Sequence, residues 1–455
     1  MIFSTCRFIL TLMFVLSTFA SLAQFTWTQV PTPNPSATRN LLRGISGTSA
    51  NDVWAVGDYQ PVPWDQDNQI LHWNGSSWIE YPTANLSLSQ FSSLWDVAAI
   101  ALNNAWAVGS YAGVGSNAQP ILLRWNGIEW TYENIPNQPF AAFLYSIDAV
   151  SATDIWAAGG QAGIGPDSCY VIHYDGSTWN KIDVPPVGTH DNEFDAIDAT
   201  GPNDAWGVGS WRDVGGSHRF LAMHWNGSSW TNTPMPPSMT SAVGYLYDVS
   251  IVSANEVWAV GDNLAGGIVV IRWNGTEWVD MTSPYGAGAI ATPSSNNVYG
   301  VGANIFHFNG AAWTVQDSLS NHLYPSLVAT TVLPDGEIWA AGRDIDSNGV
   351  FYNLVYRSNG SAVGTPTVES HQGVTTLYPN PFVESLHLRL ASNENESVLV
   401  TMTDCFGRVV FSERKSMQPG VHDLVLNVPD NLTSGVYVIN VLTKRGPCQR
   451  KVIRE

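Results

Sequence analysis

Seven basic side chains recur at one position of a repeated motif, and they are the first groups in the sequence that could do chemistry. Each stands two residues before an Asn-Gly or Asp-Gly pair: His72, Arg124, His173, His224, Arg272, His307 and Arg357. A shared metal ion would need nitrogen atoms about 2.0–2.1 Å from one centre. The alternative is that each imidazole or guanidinium packs against a neighbouring aromatic ring. The choice depends on where the motif lies in the fold.

A second set of candidates consists of aromatic side chains in long segments that also carry aspartates. Aromatic rings stack on the CH faces of sugars, while carboxylates accept hydrogen bonds from hydroxyl groups. The same combination suits a protein partner, and the simplest alternative is that the rings only pack the loops down. The residues predicted to bind ligand are Trp64, Trp95, Tyr145, Trp211 and Tyr247.

Motifs for catalysis and for metal binding are weak. The sequence has no G-x-S-x-G elbow, phosphate-binding loop or H-E-x-x-H motif. A glycoside hydrolase needs two carboxylates about 5–10 Å apart across a cleft, whereas Asp191, Glu193 and Asp195 alternate along one short segment. Asp344–Gly349 begins like a calcium loop, but Val355 stands where the final Glu is expected. We therefore assign no catalytic residue, metal or cofactor, and calcium binding by this segment stays open.

The motif that carries these residues occurs seven times. Its first half is a VWAVGD-like run, and the aromatic residues at its centre are Trp54, Trp106, Trp156, Trp206, Trp258, Tyr299 and Trp339, about 47–48 residues apart on average. Its second half contains the Asn-Gly pair, which predicts a tight hairpin of type I′ geometry with positive φ at both central residues. Each unit is therefore predicted to contain four strands, A to D.

Seven four-stranded units of this length predict an all-β chain with a seven-bladed β-propeller. The seventh unit has Val363 where the others have a closing aromatic, so we expect Phe25–Val30 to form the outer strand of the last blade. Ring closure of this kind removes exposed sheet edges. The repeats resemble the Trp-rich secreted bacterial propellers near the kelch and Asp-box groups, over residues 24–365. This resemblance implies a fold but no particular activity.

A propeller would separate the candidate groups. Strand C lies roughly 10 Å further from the axis than strand A, so the seven basic residues diverge and cannot share a metal. We expect them to pack on aromatic rings. Strand A faces the axis, where Asp96 and Asp248 either satisfy packing or line a polar channel. The long B–C and D–A loops share one face of the disc, and function concentrates in such variable loops.

Charge limits the choice of partner. The chain of 455 residues has a net charge of −19, with only 13% charged residues and 20 Trp. Residues 24–365 hold 29 acidic and nine basic side chains, whereas the two kinds are equal in number from Pro366 onward. Nucleic acid is excluded as a partner because its phosphates would be repelled.

The first 23 residues predict a secretory signal peptide. Arg7 precedes the apolar run Phe8–Phe19, and Ser21-Leu22-Ala23 supplies the small residues expected before a cleavage site. The run is too short to span a bilayer, and no other segment approaches 18 consecutive apolar residues. We therefore expect no transmembrane span.

A different pattern follows a polar linker at residues 366–375. It contains Tyr-Pro-Asn-Pro, D-x-x-G-R-x-V, L-x-x-G-x-Y and a final Lys-Val strand, in that order. Residues 376–455 thereby resemble the C-terminal sorting domain of the type IX secretion system of the Bacteroidetes. The resemblance implies a small β-sandwich that directs export through that machinery, with the motif residues Tyr378, Pro379, Asn380, Pro381, Gly407, Gly435, Tyr437 and Lys451.

Together these features predict a secreted or outer-cell-surface propeller that binds a carbohydrate or a surface protein without turnover. A glycoside hydrolase or lyase on the same scaffold and a purely structural surface protein stay open as alternatives. A disulfide between Cys405 and Cys448, with Cys169 free, is a further expectation. Release and surface anchoring are not distinguished.

Overall fold

The computed structural model describes residues 26–83, 86, 91–135, 139, 141–163, 165–188, 190–264, 267–281, 283–359, 374–378, 382, 385–392, 395–403, 409–429, 432, 435–443 and 446–454. The predicted signal peptide, most of the predicted linker, Cys405 and the motif residues Pro379, Asn380, Pro381 and Gly407 lie outside this part of the chain. The chain divides into two compact units, Met1–Ala362 and Val363–Glu455.

The first unit consists of seven four-stranded antiparallel blades, each running from inner strand A to outer strand D. Blade 1 is β2 (Asn40–Ser49), β3 (Asp52–Tyr59), β4 (Asp67–Trp73) and β5 (Trp78–Glu80). Blade 2 is β6 (Phe91–Ala101), β7 (Asn104–Ala112), β8 (Gln119–Trp125) and β9 (Trp130–Tyr132). Blade 3 is β10 (Ala141–Ser151), β11 (Asp154–Gly163), β12 (Gly165–Tyr174) and β13 (Trp179–Ile182). Blade 4 is β14 (Asn192–Gly201), β15 (Asp204–Arg212), β16 (His218–Trp225) and β17 (Trp230–Asn232).

The last three blades follow the same order. Blade 5 is β18 (Gly244–Ser253), β19 (Glu256–Asn263), β20 (Gly267–Trp273) and β21 (Trp278–Asp280). Blade 6 is β22 (Ala289–Ser294), β23 (Asn297–Val301), β24 (Ile305–Phe308) and β25 (Trp313–Asp317). Blade 7 is β26 (Ser326–Val332), β27 (Ile338–Ile345), β28 (Phe351–Asn359) and the N-terminal β1 (Thr26–Gln29). The predicted all-β fold and seven-bladed propeller are confirmed.

The N-terminal strand closes the ring. Strand β1 pairs antiparallel with β28, with Trp27 opposite Ser358 and Gln29 opposite Tyr356. The Val30 amide continues the ladder by donating to the Val355 carbonyl at 2.8 Å. Trp27 is buried at 8% exposure among the side chains of blades 6 and 7. The expected pairing of the N-terminal run with the last blade is therefore observed, and it joins the two ends of the propeller.

The C–D hairpins differ from the predicted type I′ turn. The two aromatics flanking each turn do pair across it, as Trp73 does with Trp78. Between them lie four residues, and only Gly75 has positive φ (93°). The Asn74 side chain accepts the Ser76 and Ser77 amides, both at 3.0 Å. The asparagine is therefore selected for capping the loop, not for a left-handed backbone conformation.

The repeated glycine of strand B has a steric cause. A Cβ at Gly109 would lie 2.1 Å from the Ser93 carbonyl oxygen, and one at Gly159 would lie 2.1 Å from that of Phe143. A side chain at either position would therefore force strand A away from strand B. The close approach lies just before a register shift between strands A and B. The residue skipped at that shift points its side chain toward the propeller axis.

The second unit is a small β-sandwich, as the sequence predicts. One sheet contains β29 (Val374–Tyr378), β30 (Ser385–Ser392) and β33 (Gly420–Asn427). The other contains β31 (Glu396–Thr403), β32 (Val409–Met417), β34 (Gly435–Thr443) and β35 (Gly446–Arg454). Alternate side chains of both sheets meet in one core, as Leu388 and Ile439 do.

The described motif residues of this unit lie on its strands. Tyr378 ends β29 opposite His387, and Gly435 begins β34 opposite Arg454. Tyr437 is buried in β34, and Lys451 of β35 pairs with Val438. Their role in sorting stays a prediction.

Candidate ligand-binding face

Six blades place one side chain of strand A at the axis through a β-bulge. The register of strands A and B skips a residue in blades 1 to 5 and 7, and the skipped residues are Arg43, Trp95, Tyr145, Asp195, Tyr247 and Val328. A bulge redirects a side chain and breaks the local pairing. All six side chains line one axial cavity of about 360 Å³. They lie toward the long-loop face, because strand A begins at that face.

Three of the five aromatics predicted to bind ligand belong to this ring. Trp95 and Tyr145 are in edge-to-face contact, with ring centroids 5.2 Å apart and planes at 77°. The Tyr247 ring is 38% exposed, and its hydroxyl donates to Asp262 Oδ2 at 2.8 Å. The bulges therefore gather aromatic side chains from blades 2, 3 and 5 around the cavity.

The other two aromatics lie apart from the cavity. Trp64 is 78% exposed in the B–C loop of blade 1 and has positive φ (70°). Trp211 is the second-to-last residue of β15, pairs with Asn192 and Arg219 across the sheet, and packs over Gly188. The structure thus separates the five predicted residues into a group of three and two single positions.

Arg43 is the basic member of the ring, and the ligand-site prediction missed it. Its guanidinium carbon lies 4.1 Å from the centre of the Trp95 ring, a cation–π contact across two blades. Its Nε donates to Asp58 Oδ1 at 2.8 Å, and Asp58 is fully buried. Ser93 Oγ donates to the same oxygen at 2.7 Å. Arg43 is therefore held over the indole by a fixed carboxylate.

Four aspartates further along strand A join neighbouring blades. In each case a carboxylate oxygen accepts a backbone amide of the next blade, with distances of 2.9 Å for Ile147 to Asp96, 3.0 Å for Ala199 to Asp148, 2.6 Å for Ile251 to Asp198 and 2.8 Å for Ile290 to Asp248. All four carboxylates also line the axial cavity. Asp96 and Asp248, for which the sequence left packing and a polar channel open, thus line a polar cavity, while Asp148 and Asp198 were not anticipated.

Burial sets the protonation of these carboxylates. Each lies deep in the disc with only part of its surface open to the cavity. Desolvation raises the pKa of Asp96 and of Asp248 to about 7. It raises the pKa of Asp148 and of Asp198 as well, and their mutual repulsion raises that of Asp198 further. At the ring above them, burial and the nearby Glu193 raise the pKa of Asp195.

The seven basic residues pack on aromatic rings near the short-turn face, as expected. His72 stacks on Trp54 with centroids 4.1 Å apart, and the Arg124 guanidinium lies 5.0 Å from the centre of the Trp106 ring. The structure adds a partner that the sequence analysis missed. His72 Nε2 donates to Asp52 Oδ1 at 2.7 Å, and blades 3 and 4 repeat this bond at the same distance. These groups fix the blades internally.

The aspartates of the partial calcium motif serve different turns. Asp344 accepts from His322 Nδ1 at 2.9 Å and from the Tyr324 amide at 3.0 Å. Asp346 accepts the Asn348 and Val350 amides within its own loop. No group of three or more His, Cys, Asp or Glu side chains positioned to hold a metal ion occurs among the residues that the structure describes.

Among the described residues, the structure contains no helix with the length and hydrophobicity of a membrane span.

Comparison with known proteins assigns the second unit. Residues 376–455 match the family model described as a secretion system C-terminal sorting domain. No curated protein matches the chain. The predicted resemblance of these residues to a type IX secretion sorting domain is thereby confirmed.

Solved structures resemble the chain only distantly. PorZ, a surface component of the type IX secretion system of Porphyromonas gingivalis, is 14% identical with a TM-score of 0.48, and the match covers 90% of this chain and 59% of PorZ. The chain thus spans about three fifths of the length of PorZ. A Dyadobacter fermentans protein of unknown function is 10% identical with a TM-score of 0.43, covering 74% of this chain and all of that one.

A fucose-specific lectin from Aleuria aurantia is 16% identical with a TM-score of 0.37, covering 60% of this chain and 97% of the lectin. These likenesses are too distant to indicate a function. The family match and the observed architecture establish that this chain carries a seven-bladed β-propeller followed in sequence by a type IX secretion C-terminal sorting domain.

Proposed function

We propose that the propeller acts outside the cell as a non-catalytic binding module, and that its ligand is a carbohydrate held at the axial mouth of the long-loop face. The sorting domain directs the chain to secretion or to the cell surface, where soluble and surface glycans are available. The observation that carries the proposal is the bulged ring. It brings Trp95, Tyr145 and Tyr247 from three separate blades around one cavity.

The chemistry of this ring suits a sugar. An exposed tyrosine ring offers a flat apolar surface for CH groups. Asp262 holds the Tyr247 hydroxyl and thereby fixes the ring. Arg43 and Asp195 add a donor and an acceptor at the same rim. A rigid cleft with aromatic walls and a few directed polar groups is the usual form of a small-ligand site.

The carboxylates below the ring favour binding over turnover. Asp96 accepts the Val97 amide at 2.8 Å as well as the Ile147 amide, and Asp248 accepts the Val249 amide at 2.9 Å as well as the Ile290 amide. A general acid or base must exchange its proton with substrate during the reaction. These two carboxylates instead use both oxygens to hold the backbone of strand A.

A glycan array tests the proposal. The chain without its predicted signal peptide, residues 24–455, is screened against glycans and against chromogenic glycosides. We expect binding without cleavage, and we expect Tyr247→Ala to weaken binding of the best glycan at least tenfold. Trp64→Ala is the matched control, because this residue is an aromatic on the same face but lies apart from the cavity. Binding that survives Tyr247→Ala but is lost in Trp64→Ala would contradict the axial location, and cleavage of any glycoside would contradict the non-catalytic role.

A protein partner is the second candidate, supported by exposed apolar loop tips. Val62, Trp64, Val114, Val214 and Leu264 lie in or next to the B–C loops of blades 1, 2, 4 and 5 and are 55–87% exposed. A contiguous apolar patch marks a protein-contact surface, and this candidate requires that the loops bring these side chains together. Co-purification from the native envelope fraction, with wild type compared with Val114→Ser/Val214→Ser, tests it. A specific protein partner should be lost from the double variant, and a partner retained at full yield would overturn this candidate.

Export has its own test. Deletion of residues 376–455 should leave the propeller in the periplasm, because the sorting domain is the part recognised by the type IX machinery. The readout is protease accessibility on whole cells together with fractionation. Normal surface delivery of the truncated chain would contradict the sorting role.

A further inference from the structure

A second cavity opens on the long-loop face between blades 3 and 4. It measures about 110 Å³ and is lined by the starts and ends of strands from both blades. Phe143 and Tyr145 form an aromatic wall, with their rings nearly parallel and centroids 5.7 Å apart. Tyr145 also lines the axial cavity. One side chain thus stands between the two cavities, so a ligand at the axial mouth lies next to this pocket.

Glu193 is held in the pocket by a chain of side chains. Arg212 Nε donates to His218 Nε2 at 3.2 Å, and His218 Nδ1 lies 3.1 Å from Ser210 Oγ. Because Arg212 can only donate, the His218 proton must be on Nδ1, which donates to Ser210. The Ser210 hydroxyl is then left to donate to Glu193 Oε1, at 3.5 Å. This order makes Glu193 the final acceptor of the chain and gives Ser210 no nucleophilic role.

Gly160 leaves space beside the second carboxylate oxygen of Glu193. A Cβ at position 160 would lie 3.8 Å from Glu193 Oε2 and 3.4 Å from Glu193 Cβ. Such a methyl group would make ordinary contacts while occupying the pocket. The absence of a side chain at Gly160 therefore leaves the pocket open beside Oε2.

The pocket has a negative charge excess. Its lining holds Asp167, Asp191 and Glu193 against the single cation Arg212, and Arg212 is paired with Asp191 at 3.1 Å. Burial raises the pKa of Glu193 and lowers the pKa of His218, which keeps the imidazole neutral. A phosphate, sulfate or carboxylate group would be repelled. A cation beside Glu193 would compensate its buried charge and could lie against the aromatic wall.

We propose that this pocket binds a primary ammonium group, supplied by an amino sugar of the carbohydrate that occupies the axial mouth. The identification of the ligand as a sugar rests on the proposed function, whereas the ammonium group is inferred from the pocket itself. A volume of about 110 Å³ admits one small group. The ammonium donates to Glu193 Oε2, and its charge interacts with the rings of Phe143 and Tyr145 in the manner of other alkylammonium sites.

The test uses two ligands that differ only at nitrogen. Calorimetric titration of the mature chain compares the glucosamine trimer with the N-acetylglucosamine trimer, and a lysine tripeptide serves as a third probe. We expect the glucosamine trimer to bind at least tenfold more tightly than its acetylated counterpart, since only the free amine forms a charge-assisted hydrogen bond with Glu193. Glu193→Gln should remove that difference, because it keeps the acceptor for Ser210 and loses the charge. Gly160→Ala should also remove it by filling the pocket.

The control and the remaining outcomes separate the two proposals. Asp67→Asn removes one negative charge from the same face in blade 1 and should leave the preference unchanged. Equal binding of both trimers, weakened alike by Tyr247→Ala, would overturn the ammonium pocket and leave the axial site standing. Binding of the lysine peptide alone would overturn the assignment to an amino sugar. Failure of every glycan and amine to bind would overturn both proposals.

Discussion

The two faces of the propeller use the same repeats in opposite ways. Near the short-turn face, equivalent positions carry equivalent groups: His72, His173 and His224 each stack on a tryptophan and donate to an aspartate at 2.7 Å. Near the long-loop face, the equivalent bulged positions carry a different side chain in nearly every blade, from Arg43 to Val328. The face that repeats is the one that stabilises the blades. The face that varies is the one suited to a particular ligand.

The axial cavity shows both kinds of position within a few residues. In blade 2, Trp95 is the variable side chain at the mouth, whereas the adjacent Asp96 holds the amide of blade 3. A bulge of one residue separates these roles. Binding specificity can therefore change at the mouth without disturbing the contacts between blades.

The largest expected effect on stability comes from loss of ring closure, because both faces of the disc depend on an intact ring of blades. Removal of residues 24–30 deletes strand β1 and Trp27 and leaves β28 with an open edge. Loss of a buried tryptophan alone costs about 3–5 kcal/mol, and we expect the truncated chain to lose more. Thermal unfolding of residues 24–455 and 31–455 measures the difference. An unchanged melting temperature would contradict the observed closure.

A pair of tryptophan substitutions compares the faces directly. Trp54 is fully buried and contacts Trp125 and Trp130 of the next blade, with centroids 5.2 and 5.1 Å away. Trp54→Ala should destabilise the propeller by about 3–5 kcal/mol. Trp64→Ala, at an exposed position, should change stability by less than about 0.5 kcal/mol. Denaturant titrations give both free energies of unfolding. A large loss of stability in Trp64→Ala would contradict the claim that the long-loop face contributes little to stability.

The hydrogen-bonded pair of the short-turn face should contribute stability and nothing to binding. Asp52 is fully buried and accepts from His72 Nε2 and from Thr48 Oγ1. Asp52→Ala leaves these donors without a partner, which costs about 1–3 kcal/mol. The loss should appear in equilibrium unfolding, while affinity for the best array glycan should stay within twofold of wild type. A tenfold loss of affinity in a folded variant would indicate that the glycan binds at the short-turn face, which would contradict the proposed site.

A further comparison is a pH dependence of stability whose sign differs between the cavity and the short-turn face. Burial raises the pKa of Asp96 and of Asp248 to about 7, so the folded chain binds more protons than the unfolded chain between about pH 4 and 7. Stability from these groups therefore falls as pH rises through that window. Asp204 behaves oppositely, because the hydrogen bond from His224 lowers its pKa and its contribution is lost on acidification.

Asp96→Asn tests the sign. The amide oxygen still accepts the Ile147 amide, but the side chain no longer ionises. Relative to wild type, the variant should gain stability between pH 5 and pH 8. Urea unfolding midpoints at the two pH values measure this change. A variant whose advantage shrinks toward pH 8 would contradict the assignment of a raised pKa to the cavity.

Sequence periodicity predicts the blades well because each repeat encodes them locally. Trp54 and its counterparts mark strand B, the Asn-Gly loops mark the C–D hairpins, and Val363 in place of an aromatic indicates that the N-terminus completes blade 7. The predicted type I′ hairpin was wrong, because an asparagine at this position is compatible with a left-handed backbone and also with a side chain that caps the loop. The φ angle of Asn74, which is not positive, distinguishes the two turns.

The site was predicted only in part, for a different physical reason. A β-bulge depends on the register between two strands, and the side-chain pattern of strand A alone does not show it. At a fixed place in the repeat, strand A carries a small or acidic residue, and the residue just before it varies from blade to blade. The small or acidic residues of the six bulged blades are Gly44, Asp96, Ser146, Ala196, Asp248 and Ala329. That variation would have indicated Arg43 and separated Trp95, Tyr145 and Tyr247 from Trp64 and Trp211. The pairing of His72 with Asp52 was likewise missed, because the two residues lie on different strands.

Hydrogen–deuterium exchange of the mature protein tests the central claim most directly, namely that the long-loop face binds the ligand. It is measured with and without the glycan that binds most tightly on the array. The account predicts new protection in residues 91–96, 141–147 and 244–250, which contain the bulges of blades 2, 3 and 5. It predicts unchanged exchange in the C–D loops, such as residues 74–77 and 226–229. Protection confined to those loops would contradict the account.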